Sequence, residues 1–176
     1  MSSLTITVHS PGMVAEADVR DLLERAEGAT LAHEPAVLEA LARAYHLKAE
    51  LLLARRAGVV VGALPILRIR GPLGATDSSV AYLDGGGPIG PPEVRSALVS
   101  LATHRALARC ATLELRSRSP VTLAPERARI EVSREKDLLV RQLPEDPDDI
   151  AREITFKTRH HLRRALREGC PPQRND

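Results

Sequence analysis

Aromatic residues make up 2% of this 176-residue chain: Tyr45, Tyr82 and Phe156, with no tryptophan. Single-stranded nucleic acid is gripped by stacking bases on several aromatic rings, so that mode of binding is excluded. Cysteine is equally scarce. Cys110 and Cys170 are too few for a disulfide framework, and no Cys/His spacing matches a zinc site. A reduced, cytoplasmic setting is the expectation, with no metal. The longest apolar run, Val59 to Leu67, is far short of the roughly 18–20 residues that cross a bilayer, so no membrane span is expected. The opening MSSLTITVHSPG has no basic stretch leading into an apolar one, so no secretion signal is read there. Charge of one sign is lacking too: the net charge is +2, which does not describe a nucleic-acid coat. Lysine occurs only at Lys48, Lys136 and Lys157; arginine supplies the remaining basic charge, and with the many alanines this points to a GC-rich coding sequence.

What is present is the composition of a globular domain. Hydrophobic residues are 43% and charged residues 27%, and the length suits one domain with a real core. Residues 4–8 (LTITV) alternate and are β-branched, predicting a strand. Val19, Leu22, Leu23 and Ala26 fall at helical spacing within 15–27, with Gly28 as a stop. TLAHEP then reads as a brief extended piece. From Pro35, the positions Leu38, Leu41, Ala42 and Tyr45 define an amphipathic helix. Residues 51–69 change period and predict strand, tight turn at Arg55 to Gly58, and strand, with both faces covered. Gly71, Pro72 and Gly74 break the pattern, and Val80 to Leu83 predicts a further short strand ending in the loop DGGGPIGPP. A helix opens at Pro92–Glu93, with Val94, Ala97, Leu98, Leu101 and Ala108 on its buried face and Arg95, Arg105 and Arg109 outside it. TLELRSR at 112–118 alternates as a strand with Leu113 and Leu115 inward. DLLVRQL at 137–143 is a last strand. Asp146-Pro147-Asp148-Asp149 starts a helix that runs toward Glu168, Gly169. Hairpins mixed with helices place the chain in the α/β class, an α+β mixed sheet with helices packed against it.

Five segments, in order, resemble the FemAB-type branch of the GNAT-like acyltransferases. LLLARRAGVVVGALPIL at 51–67 is similar to the strand–turn–strand of GNAT proteins. TLAHEPAVLEAL at 30–41 precedes it and SSVAYLDGGGPIG at 78–90 follows it at FemAB-like spacing. ALVSLATHRALARCATLELRSR at 97–118 looks like the family's helix leading into a strand, and FKTRHHLRRALREG at 156–169 is similar to its basic helix. The chain departs from the family where Leu31 and Ala32 replace a usual Phe and Val37 stands near a usual Trp. The resemblance implies a GNAT-like acyl-CoA N-acyltransferase fold, with a FemAB-type N-terminal domain at 1–145, a basic helix at 146–169 leading to a second domain, and a polar tail at 170–176. Family members carry two GNAT-like halves, and CPPQRND after Gly169 does not read as the first strand of a second one. The expectation is therefore a truncated or split bacterial enzyme, inactive alone, that pairs with a second half or self-associates. The parent activity implied is transfer of an acyl or aminoacyl group to an amine, in cell-wall or exopolysaccharide chemistry. The donor is an aminoacyl-tRNA or acyl-CoA, and the acceptor a small molecule or cell-wall precursor.

The chemistry-bearing residues read in more than one way. Gly85, Gly86 and Gly87 let backbone amides approach an anion as a nest, and the resemblance puts this loop near the substrate cleft; they equally suit a tight turn. Asp84 beside them is a candidate base or amine-positioning group, or a turn former. RGPLGA at 70–75 fails the spacing of a pyrophosphate loop, and Pro72 removes an amide donor, so no cofactor is assigned to this half. Lys157, Arg159, Arg163 and Arg164, with Arg167, form a basic helix suited to the phosphates of a nucleotide-linked precursor or a tRNA, or simply a solvated face. The neighbouring His160 and His161 point in different directions on a helix and do not make a metal pair. His33 and His46 have no Ser or Cys partner by spacing and read as structural. The alternative function is a non-catalytic module that holds an anionic ligand or partner chain with the glycine loop and the basic helix.

Overall fold

The computed structural model describes residues 3–72, 74–80, 83, 85–109, 111–117, 121, 160 and 164. The chain divides into two units, Met1–Ile130 and Glu131–Asp176. In the second, His160 and Arg164 are helical and exposed. The strand expected at 137–143, the helix start at Asp146 and the domain boundaries at 145 and 169 lie outside the described residues.

The first unit is a mixed α/β sheet, as the sequence pattern predicts. Its centre is a hairpin of β2 (Lys48–Arg56) and β3 (Val59–Gly71), antiparallel, with Arg56 opposite Val59. The two residues between them, Ala57 and Gly58, have φ of 51° and 82°. Positive φ at both positions is what a two-residue turn needs to match the twist of the strands. In β2 the period of two sends Leu51 and Leu53 to one face and Leu52 and Ala54 to the other, and all four are fully buried. In β3 the register slips beside Ala54 and Arg55, and this bulge brings Val60 and Ala63 onto the same face. Pro65 sits mid-strand at no cost to the ladder. The Ala63 amide points to the Ile89 carbonyl, and Pro65, two residues on, aims its nitrogen the same way. That direction lies between the Ile89 bridge and the next strand, which pairs only from Leu67.

The sheet order is β1-β2-β3-β4-β5. β1 (Leu4–His9) is antiparallel to β2, and β4 (Gly74–Ser78) is antiparallel to β3, with Gly71 opposite Gly74. α1 (Glu16–Arg25) and α2 (Pro35–Ala44) cover one face, burying Val19, Leu22 and Leu38 against Leu51, Leu53 and Leu67. α3 (Pro92–Ala108) covers the other, burying Val94, Leu98 and Ala102 against Leu52, Leu64 and Ile66. It then crosses to β5 (Thr112–Glu114), which lies parallel to β4.

Two local expectations change. TLAHEP is not extended: Leu31–His33 is a 3-10 turn, because the Thr30 side chain accepts from the Ala32 amide and the His33 ring accepts from the Thr30 amide. The strand expected at Val80–Leu83 lies earlier, at Gly74–Ser78. The chain turns immediately after it, with Val80 at φ 54° and its amide donating to the Ser78 carbonyl. The breakers at 71–74 therefore form a hairpin turn, and RGPLGA is the tip of that hairpin, with Arg70 opposite Ala75.

α3 can approach the sheet because Gly62 has no side chain. A Cβ there would lie 2.4 Å from Val94 Cγ1 and 2.8 Å from the Ile89 carbonyl oxygen. Gly62→Ala is expected to cost about 1–3 kcal/mol by overpacking. Gly28→Ala, at φ 81° with open space around it, should cost only the left-handed penalty of about 1 kcal/mol. Urea denaturation of the two variants checks the ordering.

Candidate functional site

The parallel pair β4–β5 is short: Thr76, Asp77 and Ser78 lie opposite Thr112, Leu113 and Glu114. One more backbone bond follows, Ser79 N–H to the Glu114 carbonyl at 2.9 Å. β4 then leaves the sheet, and the Ser79 hydroxyl takes over as acceptor for the Arg116 amide at 2.7 Å. The departure turns on Val80, a fully buried β-branched residue at φ 54°. Such a residue in the left-handed region is strained, and strain of this kind is retained where surrounding structure enforces it, commonly beside a working site. In open α/β sheets, ligands bind in the crevice outside the carboxyl ends of the strands.

The glycine loop closes onto that end. Gly85, Gly86 and Gly87 are buried. A Cβ on Gly86 would lie 2.6 Å from the Ser79 carbonyl oxygen, and one on Gly87 would lie 2.6 Å from Ser117 Cα, so the loop touches both departing strands through backbone alone. The loop is held from its far side by the 3-10 turn. Thr30 Oγ1 donates to the Gly85 carbonyl at 3.1 Å, and His33 Nε2 bonds the Gly87 carbonyl at 2.8 Å. The Thr30 amide can only donate, and it points at His33 Nδ1. Nδ1 therefore accepts, and Nε2 carries the proton that Gly87 receives. A shallow crevice results, lined by Glu27, Gly28, Gly85, Gly87, Pro88 and Ser117. Its backbone donors and acceptors are fixed in place, and its rim offers a carboxylate and a hydroxyl.

The sequence-predicted residues divide accordingly. Gly85–Gly87 are brought together with His33, which the spacing alone marks only as structural. Asp84, Lys157, Arg159 and Arg163 lie outside the described residues. Arg164 is helical and exposed. Among the described residues no group of His, Cys, Asp or Glu is arranged to hold a metal ion, and no helix is long and apolar enough to cross a membrane.

On β4 itself, at Asp77, stands an ion cluster with no counterpart in the sequence reading. Arg105 and Arg109, expected outside the packed face of α3, turn toward the sheet. Arg109 donates to Asp77 Oδ2 at 3.0 Å and approaches Glu50 Oε1 at 3.4 Å, and Arg105 donates to Glu50 Oε2 at 2.7 Å. Arg68 Nε donates to Asp77 Oδ1 at 2.8 Å. The outward assignment fails because the last turns of α3 overhang a strip of sheet that carries carboxylates rather than apolar groups. The Arg68 guanidinium is held above its ordinary value, first by the hydrogen bond it donates to Asp77 and then by the Asp77 and Glu50 charges, with burial opposing. The only sequence signals are an acid within apolar β2 and an Arg pair four residues apart on α3.

No family model matches the chain, and no curated protein matches it. Among solved structures, a ribosomal-protein-alanine N-acetyltransferase from Brucella melitensis biovar Abortus 2308 is similar to it at 18% identity, with a TM-score of 0.34, over 73% of this chain and 98% of that one. At that degree of superposition the likeness carries no argument.

The Asp77 side chain is 3% exposed and meets Arg68 and Arg109, which are themselves only partly exposed. Asp77→Ala leaves the two guanidiniums only their longer contacts to Glu50, at 3.9 Å for Arg68 and 3.4 Å for Arg109, and is expected to cost about 2–4 kcal/mol. Glu39→Ala removes only the exposed pair with Arg43 on α2 and should cost under about 0.5 kcal/mol. Equilibrium denaturation of both variants measures the contrast.

Proposed function

We propose that this chain is a GNAT-like N-acyltransferase unit of FemAB type, moving an acyl or aminoacyl group to an amine. The observation that supports the reading is spatial. Three of the segments that carry the family resemblance lie apart in sequence yet meet around the glycine loop beside the crevice: 30–41 through Thr30 and His33, 78–90 through Ser79 and the loop itself, and 97–118 through Ser117, with Arg116 bonded to Ser79. The crevice lies where an open sheet ordinarily takes its ligand.

In this reading the glycine loop forms one wall of the cleft, and Asp84 orients or deprotonates the acceptor amine. Lys157, Arg159, Arg163 and Arg164 attract the phosphates of the donor, an aminoacyl-tRNA or acyl-CoA. The acceptor is a small amine or cell-wall precursor, and the setting is the cytoplasm. Acyl transfer passes through a tetrahedral intermediate that needs preorganised donors for its oxyanion and exclusion of water. The crevice presents a carboxylate and a hydroxyl at its rim, so a second GNAT-like half is assigned the oxyanion donors, and the chain alone turns over little or not at all.

A second reading, a non-catalytic module, is favoured by one specific feature. The carbonyls of Gly85 and Gly87 are already engaged by Thr30 and His33, which makes the loop a structural clasp as much as a ligand cradle.

The full chain is to be titrated with tRNA and with acyl-CoA across a salt series, then assayed for transfer to amines. Salt-sensitive tRNA binding, weakened by Arg163→Ala with Arg164→Ala and with a log–log salt slope smaller by about 2, is the expected result. Acyl transfer by the chain alone overturns the need for a second half. Failure to bind either donor overturns the acyltransferase reading.

A further inference from the structure

β1 pairs with β2 along one edge, and among the described residues nothing pairs with its other edge. A strand edge with open amides and carbonyls is a template for another strand, and proteins ordinarily guard it with charge, proline or a bulge. Here the guards are elsewhere. β2 carries Lys48, Glu50, Arg55 and Arg56, β3 carries Arg68 and Arg70, β4 carries Asp77 and β5 carries Glu114. β1 reads LTITVH, without an acid, a lysine, an arginine or a proline. The bulge lies between β2 and β3, where it leaves the outer edge straight.

The side chains of β1 sort by face. Leu4, Ile6 and Val8 are only partly buried, and they extend the apolar cluster that α3 covers. Thr5, Thr7 and His9 lie on the opposite face, where His9 Nε2 and Thr7 Oγ1 are 2.8 Å apart. The apolar cluster therefore runs out to an edge that no described residue pairs, instead of ending beneath a charged rim.

We propose that β1 is a dimerisation edge, and that the partner is a second copy of this chain. A two-fold axis normal to the sheet keeps each side chain on its own face only when residues of like parity oppose each other. Centred on Ile6, antiparallel pairing sets Leu4 against Val8, Ile6 against Ile6 and Thr5 against Thr7. Apolar groups meet apolar groups, hydroxyls meet hydroxyls, and no like charges face one another. The sheet and its α3-side cluster become continuous across the two copies. Self-complementarity of this kind favours a second copy over an unrelated strand, and the arginine-rich neighbouring strands have no equivalent uncharged edge. The proposal is independent of the acyltransferase reading.

Sedimentation equilibrium of the full chain across a concentration series tests it. The expected result is a concentration-dependent approach to twice the chain mass. Thr5 is exposed, so Thr5→Lys is expected to halve the sedimenting mass with an unchanged far-UV circular dichroism spectrum. A second variant reads the register without relying on that one: with Cys110 and Cys170 changed to Ser, Thr5→Cys with Thr7→Cys places Cβ atoms about 4.5–5.5 Å apart across the axis, and oxidation should give a disulfide-linked dimer. A chain that stays monomeric at every concentration overturns the proposal. So does a dimer that survives Thr5→Lys and does not cross-link, since association then uses another surface.

Discussion

The buried carboxylate of Asp77 is the contact on which the functional end of the sheet depends. Its two oxygens are taken by guanidiniums from different elements, Arg68 on β3 and Arg109 at the end of α3. Arg109 in turn shares Glu50 on β2 with Arg105. Three strands and one helix are thereby tied at a single point, in a place where apolar packing alone gives no directional preference. Burying charge is expensive, and the arrangement persists because each carboxylate oxygen meets a donor. One residue further along β4, Ser78 donates to Glu114 on β5, and one beyond that, Ser79 receives the Arg116 amide. The ion cluster, the parallel pairing and the strained turn at Val80 are consecutive steps along one short strand.

The central hairpin is plain in the sequence because its signal is local. Leucine and valine fill both faces of β2 and β3, and Ala57-Gly58 supplies a turn whose residues touch only their neighbours. α1, α2 and α3 are legible for the same reason: Val19 and Leu22, Leu38, and Val94 and Leu98 repeat at helical spacing. The position of β4 is not. GATDS has no apolar alternation, because its buried groups are a carboxylate and a hydroxyl, and the partners that make burial tolerable lie on other elements. Read alone, such a segment is a loop, and the apolar Val80 to Leu83 beside it looks more like a strand.

The candidate site is half legible. Three successive glycines announce a close approach of backbone, and the structure shows what they approach: Ser79 on one side and Ser117 on the other. The clasp of Thr30 and His33 is hidden by distance, since these residues lie 55 and 54 positions from the carbonyls they hold. Arg105 and Arg109 mislead for a related reason. On a helix an exposed pair four residues apart is ordinarily solvated, and only the tertiary position of Glu50 and Asp77 turns it inward.

The parallel pairing of β4 and β5 also bears on the order in which the chain assembles. β2, β3 and β4 are joined by two-residue turns, so their pairing closes small loops at little entropic cost. The Ser78–Glu114 contact spans 36 positions, and β1 must reach across a comparable stretch to find β2. Contacts so far apart in sequence carry a larger loop-closure cost and are expected to form later. The inner hairpins are therefore expected to form first, with the strand that carries the crevice added later. Slow amide exchange is expected at Leu51–Leu53 and at their β3 partners Leu64 and Ala63. The amides of Ser79 and Arg116, which join the two strands where they part, are expected to exchange sooner.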